Sequence, residues 1–435
     1  MPEPMRRVFE RLEEETLAPF ALRSKNATRR HPLEDEGRAF DYRTAFQRDR
    51  DRIVYSRAFR RLRQKAVAGI LPAYEDHRRN RLTHTLEVAQ VARTIARALR
   101  LNEDAVEAIA LAHDLGQPPF GPAGERALDD LLSGRRDGKG GPGLGDLGGF
   151  EKAWQGVRIV DRLEKRYEHA GLNLTDPVRE GILKSGRSGR PRGETLEGVR
   201  DGEPAVLETQ VVALADRIAS ALHDLDDALQ AGAVGVEEVE RLRAVAELKR
   251  KLGGKWRARA SRFMKANAIH RGLTHLLVTG TILGSRENLD GFEGEPTGRE
   301  IAPSAAGARL LSDLEGFLER RVHRGSEAEK VEARGRRAVL GLFGAYFSDP
   351  GLLDDHVLLR YKELAGVPYF RDLPREIRDR EASQRYRKDP RFTRLLADHL
   401  AAMTDGYVLA EFGRLLEIGA VPIPSVEQLL REEGR

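Results

Sequence analysis

Apolar positions recur at spacings of three and four along most of this chain, and alternating β-branched runs are scarce. That period puts one face of each segment against a packed interior and marks amphipathic helix rather than strand. Ala, Leu, Arg and Glu, all good helix formers, dominate between the breaks. The pattern predicts helices over Arg48–Gln64, Arg81–Arg100, Glu103–Leu115, Phe150–Tyr167, Pro177–Lys184, Glu208–Gln230 and Val236–Leu252. Others are expected over Ala305–His323, Glu329–Phe347, Pro374–Arg387 and Asp389–Leu416, with one more stretch ending near Leu283. Three Gly- and Pro-broken segments, Ser133–Gly149, Ser185–Gly202 and Gly284–Ser304, read as loops at the rim of a helical core. No internal repeat is visible. The expected fold class is all-α, with an extension over 1–40, a core over 41–235 and a helical C-terminal region over 236–435.

Against this apolar background a few polar residues stand out. Asn102 is placed to cap a helix that carries Glu103 and Asp104 in its first turn, and Gly116 with Pro118 and Pro119 stops it. At that stop stand His113 and Asp114, about 100° apart on the helix. Alone, such a pair is ordinarily a surface or helix-end salt bridge. In RLTHTLEVAQVA, His84 shares the register of Val88, Val91 and Ile95, so it faces packed neighbours. In ETQVVALADRIASALHDLDDAL, Asp216 shares a face with Ser220, His223 and Asp227. A carboxylate among Val211, Val212, Leu214, Ala215 and Ile218 is costly to bury without a positive partner. An arginine such as Arg57 or Arg81 is one such partner and a metal ion is another. Two imidazoles and two carboxylates suit a borderline-hard divalent ion (Mn, Mg, Co, Fe or Zn) with positions left for water and phosphate oxygen.

Composition narrows the choice. The chain has 435 residues and no cysteine, so any metal must sit on histidines and carboxylates. No stretch approaches the roughly 20 apolar residues of a bilayer span, and Met1–Thr16 lacks the apolar block of a signal peptide. A cytoplasmic protein with no membrane partner is expected. The net charge of +5 comes from 74 basic and 69 acidic residues, a weak excess. Basic residues nevertheless cluster at Arg57, Arg60, Arg61, Arg63 and Lys65, and at Arg78, Arg79 and Arg81; both a polyphosphate pocket and a solvated stripe fit them. Phe59 and Leu62 should point inward. Trp154 and Trp256 are expected in the core or at its rim, and Lys249–Arg262 on a helix-loop surface. The Gly-rich segment 138–149 lacks the order of a P-loop.

Around these residues the chain resembles the deoxyguanosine triphosphate triphosphohydrolase (dGTPase-like) branch of the HD superfamily. The matching stretches are DRIVYSRAFRRLRQK (51–65), RLTHTLEVAQVA (81–92), AHDLGQPPFGPAGE (112–125), GGFEKAWQ (148–155), GLNLT (171–175), LETQVVALADRIASALHDLDDAL (207–229), LFGAYF (342–347) and DHLAAMTDGY (398–407). The resemblance implies an HD-domain helical phosphohydrolase fold with helical insertions. It also implies hydrolysis of a deoxynucleoside triphosphate to deoxynucleoside and triphosphate, and a homo-oligomer, hexameric or dimer-based. Single-stranded nucleic acid is a further partner it allows. Residues 41–235 would then form the metal-binding catalytic core, and 236–435 would complete the nucleotide pocket and oligomer contacts.

Carried over residue by residue, His84, His113, Asp114 and Asp216 fall on the metal ligands. Arg81 falls on a phosphate-binding arginine and Asp224 on a carboxylate that meets the sugar. Gln117, Arg217, Ser220, Asp405 and Tyr407 fall among the substrate-binding positions, and Glu125 and His223 are the candidate proton-transfer groups beside Asp114. The departures cluster. Where the family reads H-D-L-G-H-P-P-F-G-H, both later histidines are replaced, by Gln117 and Pro122. The asparagine of F-E-x-N-x-Q is Ala153, and the tyrosine four residues after the metal Asp is Ser220. General acid–base help is worth roughly 10²–10⁴-fold, so reduced or redirected activity is expected. The alternative is a nucleotide- or nucleic-acid-binding regulator of the same fold with little turnover.

Overall fold

The computed structural model describes residues 4–33, 41–66, 79–134, 147–186, 197–200, 202–257 and 261–416. In chain order the helices are α1 (Met5–Thr16), α2 (Ala45–Val54), α3 (Arg57–Arg61), α4 (Arg81–Leu99), α5 (Glu103–Ala112), α6 (Pro122–Leu132) and α7 (Lys152–Arg158). They continue as α8 (Asp176–Lys184), α9 (Leu207–Gln230), α10 (Val236–Val239), α11 (Arg243–Leu252), α12 (Gly254–Arg257) and α13 (Arg262–Asn288). The last are α14 (Ala305–Leu318), α15 (Ser326–Ser348), α16 (Asp355–Ala365), α17 (Arg375–Glu381), α18 (Pro390–Ala402) and α19 (Asp405–Leu416). The described residues contain isolated β-bridges but no strand. The fold is all-α, and none of these helices is long and apolar enough to cross a membrane.

Two compact units interleave along the chain. The first takes the described residues up to 117, from 151 to 186 and from 197 to 331. Its centre is the trio α4, α5 and α9, which pack on one another. Val88, Ala92 and Ile95 of α4, Val106 and Ile109 of α5, and Val211, Ala215 and Ile218 of α9 are fully buried. Helix α5 is apolar nearly all round, as a helix enclosed by others must be. Trp154 and Trp256 lie in the same core. The second unit takes described residues 118–134, 147–150 and 332–416. It is built around Leu128, Leu132, Phe343 and the edge-packed rings of Phe370, Tyr386 and Phe392.

Local chemistry fixes the ends of the site-bearing helices. Asn80 caps α4 in a reciprocal box with Thr83, and Asn102 caps α5 by accepting from Ala105 N, as its sequence implied. The fully buried Glu208 of α9 accepts from Leu22 N at 2.9 Å and Asn102 N at 3.2 Å, which fastens the chain just before α5.

Several expected boundaries are corrected. The helix expected over Arg48–Gln64 breaks at Tyr55 and Ser56, because Ser56 caps a new helix by accepting from Phe59 N. Phe150–Tyr167 shortens to α7 and a π turn over Ile159–Leu163. Val236–Leu252 divides into α10 and α11, and Asp389–Leu416 divides at Met403. Helices α6 and α16 were not anticipated. Instead of breaking at Gly284, α13 runs on to Asn288. Most of the Gly-rich segment 133–149, part of 185–202, Arg78 and residues 258–260 lie outside the described residues.

One close approach bears directly on the site. A Cβ on Gly116 would lie 2.0 Å from Lys152 O and 2.3 Å from Gly156 N, so only glycine lets the loop after α5 meet the backbone of α7. Overpacking of this kind typically costs about 1–3 kcal/mol, and here the obstacle is backbone. Gly116→Ala should therefore lower unfolding stability by at least the top of that range in urea denaturation. A midpoint equal to the parent's would show that α7 is free to move away.

Candidate metal centre

Four side chains from α4, the end of α5 and α9 converge inside the first unit. His84 Nε2 lies 3.0 Å from Asp216 Oδ1 and 4.0 Å from Asp114 Oδ2. His113 Nε2 lies 3.6 Å from Asp114 Oδ2 and 3.7 Å from Asp216 Oδ1. Donor atoms of His84, His113 and Asp114 all fall within 4.8 Å of one another. Bonds of about 2.0–2.2 Å to a divalent ion put neighbouring donors at separations of this order.

The donor set passes a stricter test. His113 Nδ1 donates to Ala110 O at 2.6 Å, so the neutral ring carries its proton there and leaves a lone pair on Nε2. That Nε2 is buried and, among the described residues, has no hydrogen-bond partner. A buried acceptor left bare amid two carboxylates is what a cation would satisfy. Asp216 keeps 23% of its side-chain surface accessible, so the cluster is open to water on that side.

The electrostatics run the same way. Asp114 has no accessible surface, and burial alone would raise its pKa. Lys152, His113, Arg81 and His84 outweigh burial and hold it well below the usual carboxylate range. Asp216 is likewise held low against burial by its contacts with His113 and His84. Burial pushes His84 down. In His113 it is overcome by Asp114 and Asp216, whose field raises the ring's pKa. Field and lone pair together favour a positive guest, proton or metal.

Arg81 and Lys152 supply the positive charge. Arg81 donates to Asp114 Oδ2 at 2.9 Å and Lys152 Nζ to Asp114 Oδ1 at 2.9 Å. Burial would lower both cations, but Asp114 raises them again, with Asp216 adding to it. Arg81 therefore pairs with Asp114, not with Asp216 as one sequence alternative had it. Lys152 escaped sequence reasoning altogether. Its position in FEKAWQ was noted only for the altered neighbour Ala153, and a lysine opening an amphipathic helix carries no signal of burial.

The remaining candidates scatter. Ser220 Oγ donates to Asp216 Oδ1 at 3.2 Å, and His223 Nδ1 faces His84 Nδ1 at 3.0 Å, as their shared helical register implied. Gln117 is buried; its backbone carbonyl accepts from Lys65, and its side-chain Oε1 has no partner among the described residues. Asp224 pairs with His323 at 3.0 Å, and the exposed Arg217 forms a two-point pair with Glu315 at 2.5 and 2.6 Å. Glu125, Asp405 and Tyr407 belong to the second unit, where Asp405 accepts from Phe120 N at 3.0 Å. Tyr407 is half-buried, and burial pushes its hydroxyl up to about 12. Phe59 and Leu62 are buried while Arg57, Arg60, Arg61 and Arg63 are exposed, so that basic segment is a solvated face. Lys65 is the exception, buried on Gln117.

Further along α9, Arg79 donates to Asp226 at 3.0 Å and Asp227 at 3.1 Å. Burial pushes Asp227 up to about 6, with Asp224 and Asp226 adding to it against Arg79. A carboxyl that is protonated in the fold but ionised in the unfolded chain favours the fold below about pH 4. That advantage disappears as pH rises through 6. Asp227→Asn should remove the decline, leaving the variant more stable than the parent at pH 7 by up to about 3 kcal/mol. Urea denaturation from pH 4 to 7 reads the difference; parallel curves would refute it.

Comparison with known proteins agrees with this geometry. Residues 81–221, which contain all four converging side chains, match the HD domain. A deoxyguanosinetriphosphate triphosphohydrolase-like protein of Azoarcus sp. (strain BH72) is 37% identical over 393 residues, covering 87% of this chain and 92% of the relative. Proteins of the same name from Syntrophus aciditrophicus (strain SB) and Caldanaerobacter subterraneus subsp. tengcongensis are 35% and 36% identical. They cover 95% and 98% of this chain, and 96% and 98% of themselves.

Proposed function

The chain belongs to the deoxyguanosinetriphosphate triphosphohydrolase-like family of HD-domain phosphohydrolases, and on that footing we propose that it hydrolyses deoxynucleoside triphosphates to deoxynucleoside and inorganic triphosphate. The observation that carries this reading is the bare, buried His113 Nε2 set between two ionised carboxylates and a second imidazole. His84, His113, Asp114 and Asp216 would hold a divalent ion, which when bound supplies Lewis acidity toward phosphate and water.

The chain's own residues do the rest. Ala110 O orients His113, and Ser220 steadies Asp216. Arg81 and Lys152 bring positive charge to the carboxylates. With a divalent ion held there, both would be able to turn part of their hydrogen bonding to an incoming triphosphate, whose several negative charges need such partners. Gln117, Asp224, Arg217, Asp405 and Tyr407 are proposed to meet substrate, and Glu125 to take part in proton transfer with Asp114 and His223. This assignment rests on the family pattern. A homo-oligomer in the cytoplasm completes the proposal.

Gln117 and Pro122 favour a second reading, a nucleotide- or nucleic-acid-binding regulator with weak turnover, because neither can carry the proton that a histidine there would. Incubating the Mn²⁺- or Mg²⁺-loaded protein with each dNTP and separating the products decides between them. Deoxynucleoside plus triphosphate is expected. His113→Ala and Asp216→Ala should abolish it, as should chelation. Mono- or diphosphate products would reassign the substrate class, and binding without turnover under every metal would favour the regulator. Pro122 is exposed at the first turn of α6, where Pro122→His should fold normally. If a missing acid limits the rate, that variant should gain roughly 10²-fold or more; an unchanged rate places the limit elsewhere.

A further inference from the structure

Behind the four converging side chains lies a chain of three groups to which the proposed reaction assigns no positioning part. His223, two turns beyond Asp216 on α9, is almost wholly buried. Its Nδ1 faces Nδ1 of His84 at 3.0 Å, with the two rings nearly perpendicular at 78°. Its Nε2 is hydrogen-bonded to the carboxylate of Glu87, which stands one turn after His84 on α4 with 43% of its side chain accessible. Arg79 Nε lies 3.6 Å from the other oxygen of Glu87. Burial would raise the Glu87 pKa, but the hydrogen bond with His223 and the nearby charge of Arg79 bring it to about 2. Glu87 is therefore ionised at neutral pH and can only accept hydrogen bonds.

These contacts restrict where protons sit. For His84 Nε2 to give its lone pair to a cation, the ring's one proton must be on Nδ1. The Nδ1–Nδ1 contact holds one hydrogen, so His223 Nδ1 must then be the acceptor. Neutral His223 consequently carries its proton on Nε2, and the acceptor there is Glu87. Each assignment forces the next.

We propose that Glu87 is a positioning residue which, acting through His223, fixes the tautomer of His84 so that Nε2 presents a lone pair to the metal ion. The proposal rests on the metal-centre reading above. His113 reaches the same condition more simply, through Ala110 O. At His84 Nδ1 a second imidazole, backed by a carboxylate, stands in that place instead. Without an acceptor at residue 87, the opposite tautomer pair becomes available. His223 Nδ1–H would donate to His84 Nδ1, and the proton of His84 would move to Nε2, where Asp216 Oδ1 accepts it at 3.0 Å. A cation would then have to displace that arrangement before binding. Outer partners that orient metal-ligating histidines are typically worth 10–100-fold in affinity.

The test uses the full-length protein and Mn²⁺ alone, without substrate, titrated calorimetrically. Glu87→Leu should bind roughly 10–100-fold more weakly than the parent. Glu87→Gln should bind close to the parent, because its amide oxygen accepts the same N–H. Histidine ¹⁵N spectra of the Zn²⁺-loaded parent should show His223 protonated at Nε2 and His84 at Nδ1, a readout that needs no variant and that mere packing would not set. Equal Mn²⁺ affinity in Glu87→Leu, a proton on His223 Nδ1 in the loaded parent, or Glu87→Gln as weak as Glu87→Leu would each overturn the proposal while leaving the metal centre standing. A parent that binds neither Mn²⁺ nor Zn²⁺ would instead remove the metal centre, and this inference with it.

Discussion

Asp114 is a carboxylate with no access to water, and the rest of the centre is organised around keeping it charged. A lone buried charge would cost several kcal/mol, so the fold must deliver counter-charge to both of its oxygens. Arg81 reaches Oδ2 from the first turn of α4, and Lys152 reaches Oδ1 from the first turn of α7. Neither contact is local in sequence. The second exists because Gly116 lets the loop after α5 lie against the backbone of α7, and the first because Asn80 starts α4 where it does. Packing and capping constraints beside the centre thus become electrostatic ones at the carboxylate.

On the proposed reading the same arrangement would suit an ion and an anion in turn. Two carboxylates face one guanidinium and one ammonium. With a divalent cation held by those carboxylates the balance would be positive, which would favour an incoming polyphosphate. Arg81 and Lys152 are then useful in both states without leaving the pocket, because a charged donor on a long side chain can divide its hydrogen bonds between carboxylate and phosphate. Burial would discharge an isolated lysine, but beside Asp114 the ammonium persists.

Much of this was legible in the sequence, and the exceptions share a cause. The helical period gave the trio α4, α5 and α9, and register alone put Asp216, Ser220 and His223 on one face, where Ser220 and His223 contact Asp216 and His84. The cap Asn102 marked the start of α5. What failed was anything that depends on a distant partner. Pro122 stood out in the sequence only as a replaced histidine, yet it opens α6, since proline is favoured in a helix's first turn. Gly284 looked like a breaker, yet it sits inside α13 where the backbone of residues 302–304 passes so close that a Cβ would meet Ser304 N at 2.3 Å. Lys152 and Glu87 looked like ordinary solvated charges, because nothing local distinguishes a lysine bound to a carboxylate 38 residues away or a glutamate bound to a histidine 136 residues away.

The departures from the family pattern can now be weighed by kind. Gln117, Pro122 and Ala153 remove groups able to carry a proton or offer a directional hydrogen bond, but no charge that the centre needs. The four positions proposed to hold the metal and Arg81 are retained, and Lys152 stands beside them as a second cation. Proton transfer and electrostatic hold are separable contributions, and these substitutions affect only the first. Lys152 does not restore it, because an ammonium whose pKa is raised further by Asp114 is a poor acid at neutral pH. If the proposed reaction holds, a pocket altered in this way should keep its grip on cation and phosphate and lose speed at the step where the leaving oxygen takes up a proton, so the consequence belongs in turnover rather than in binding.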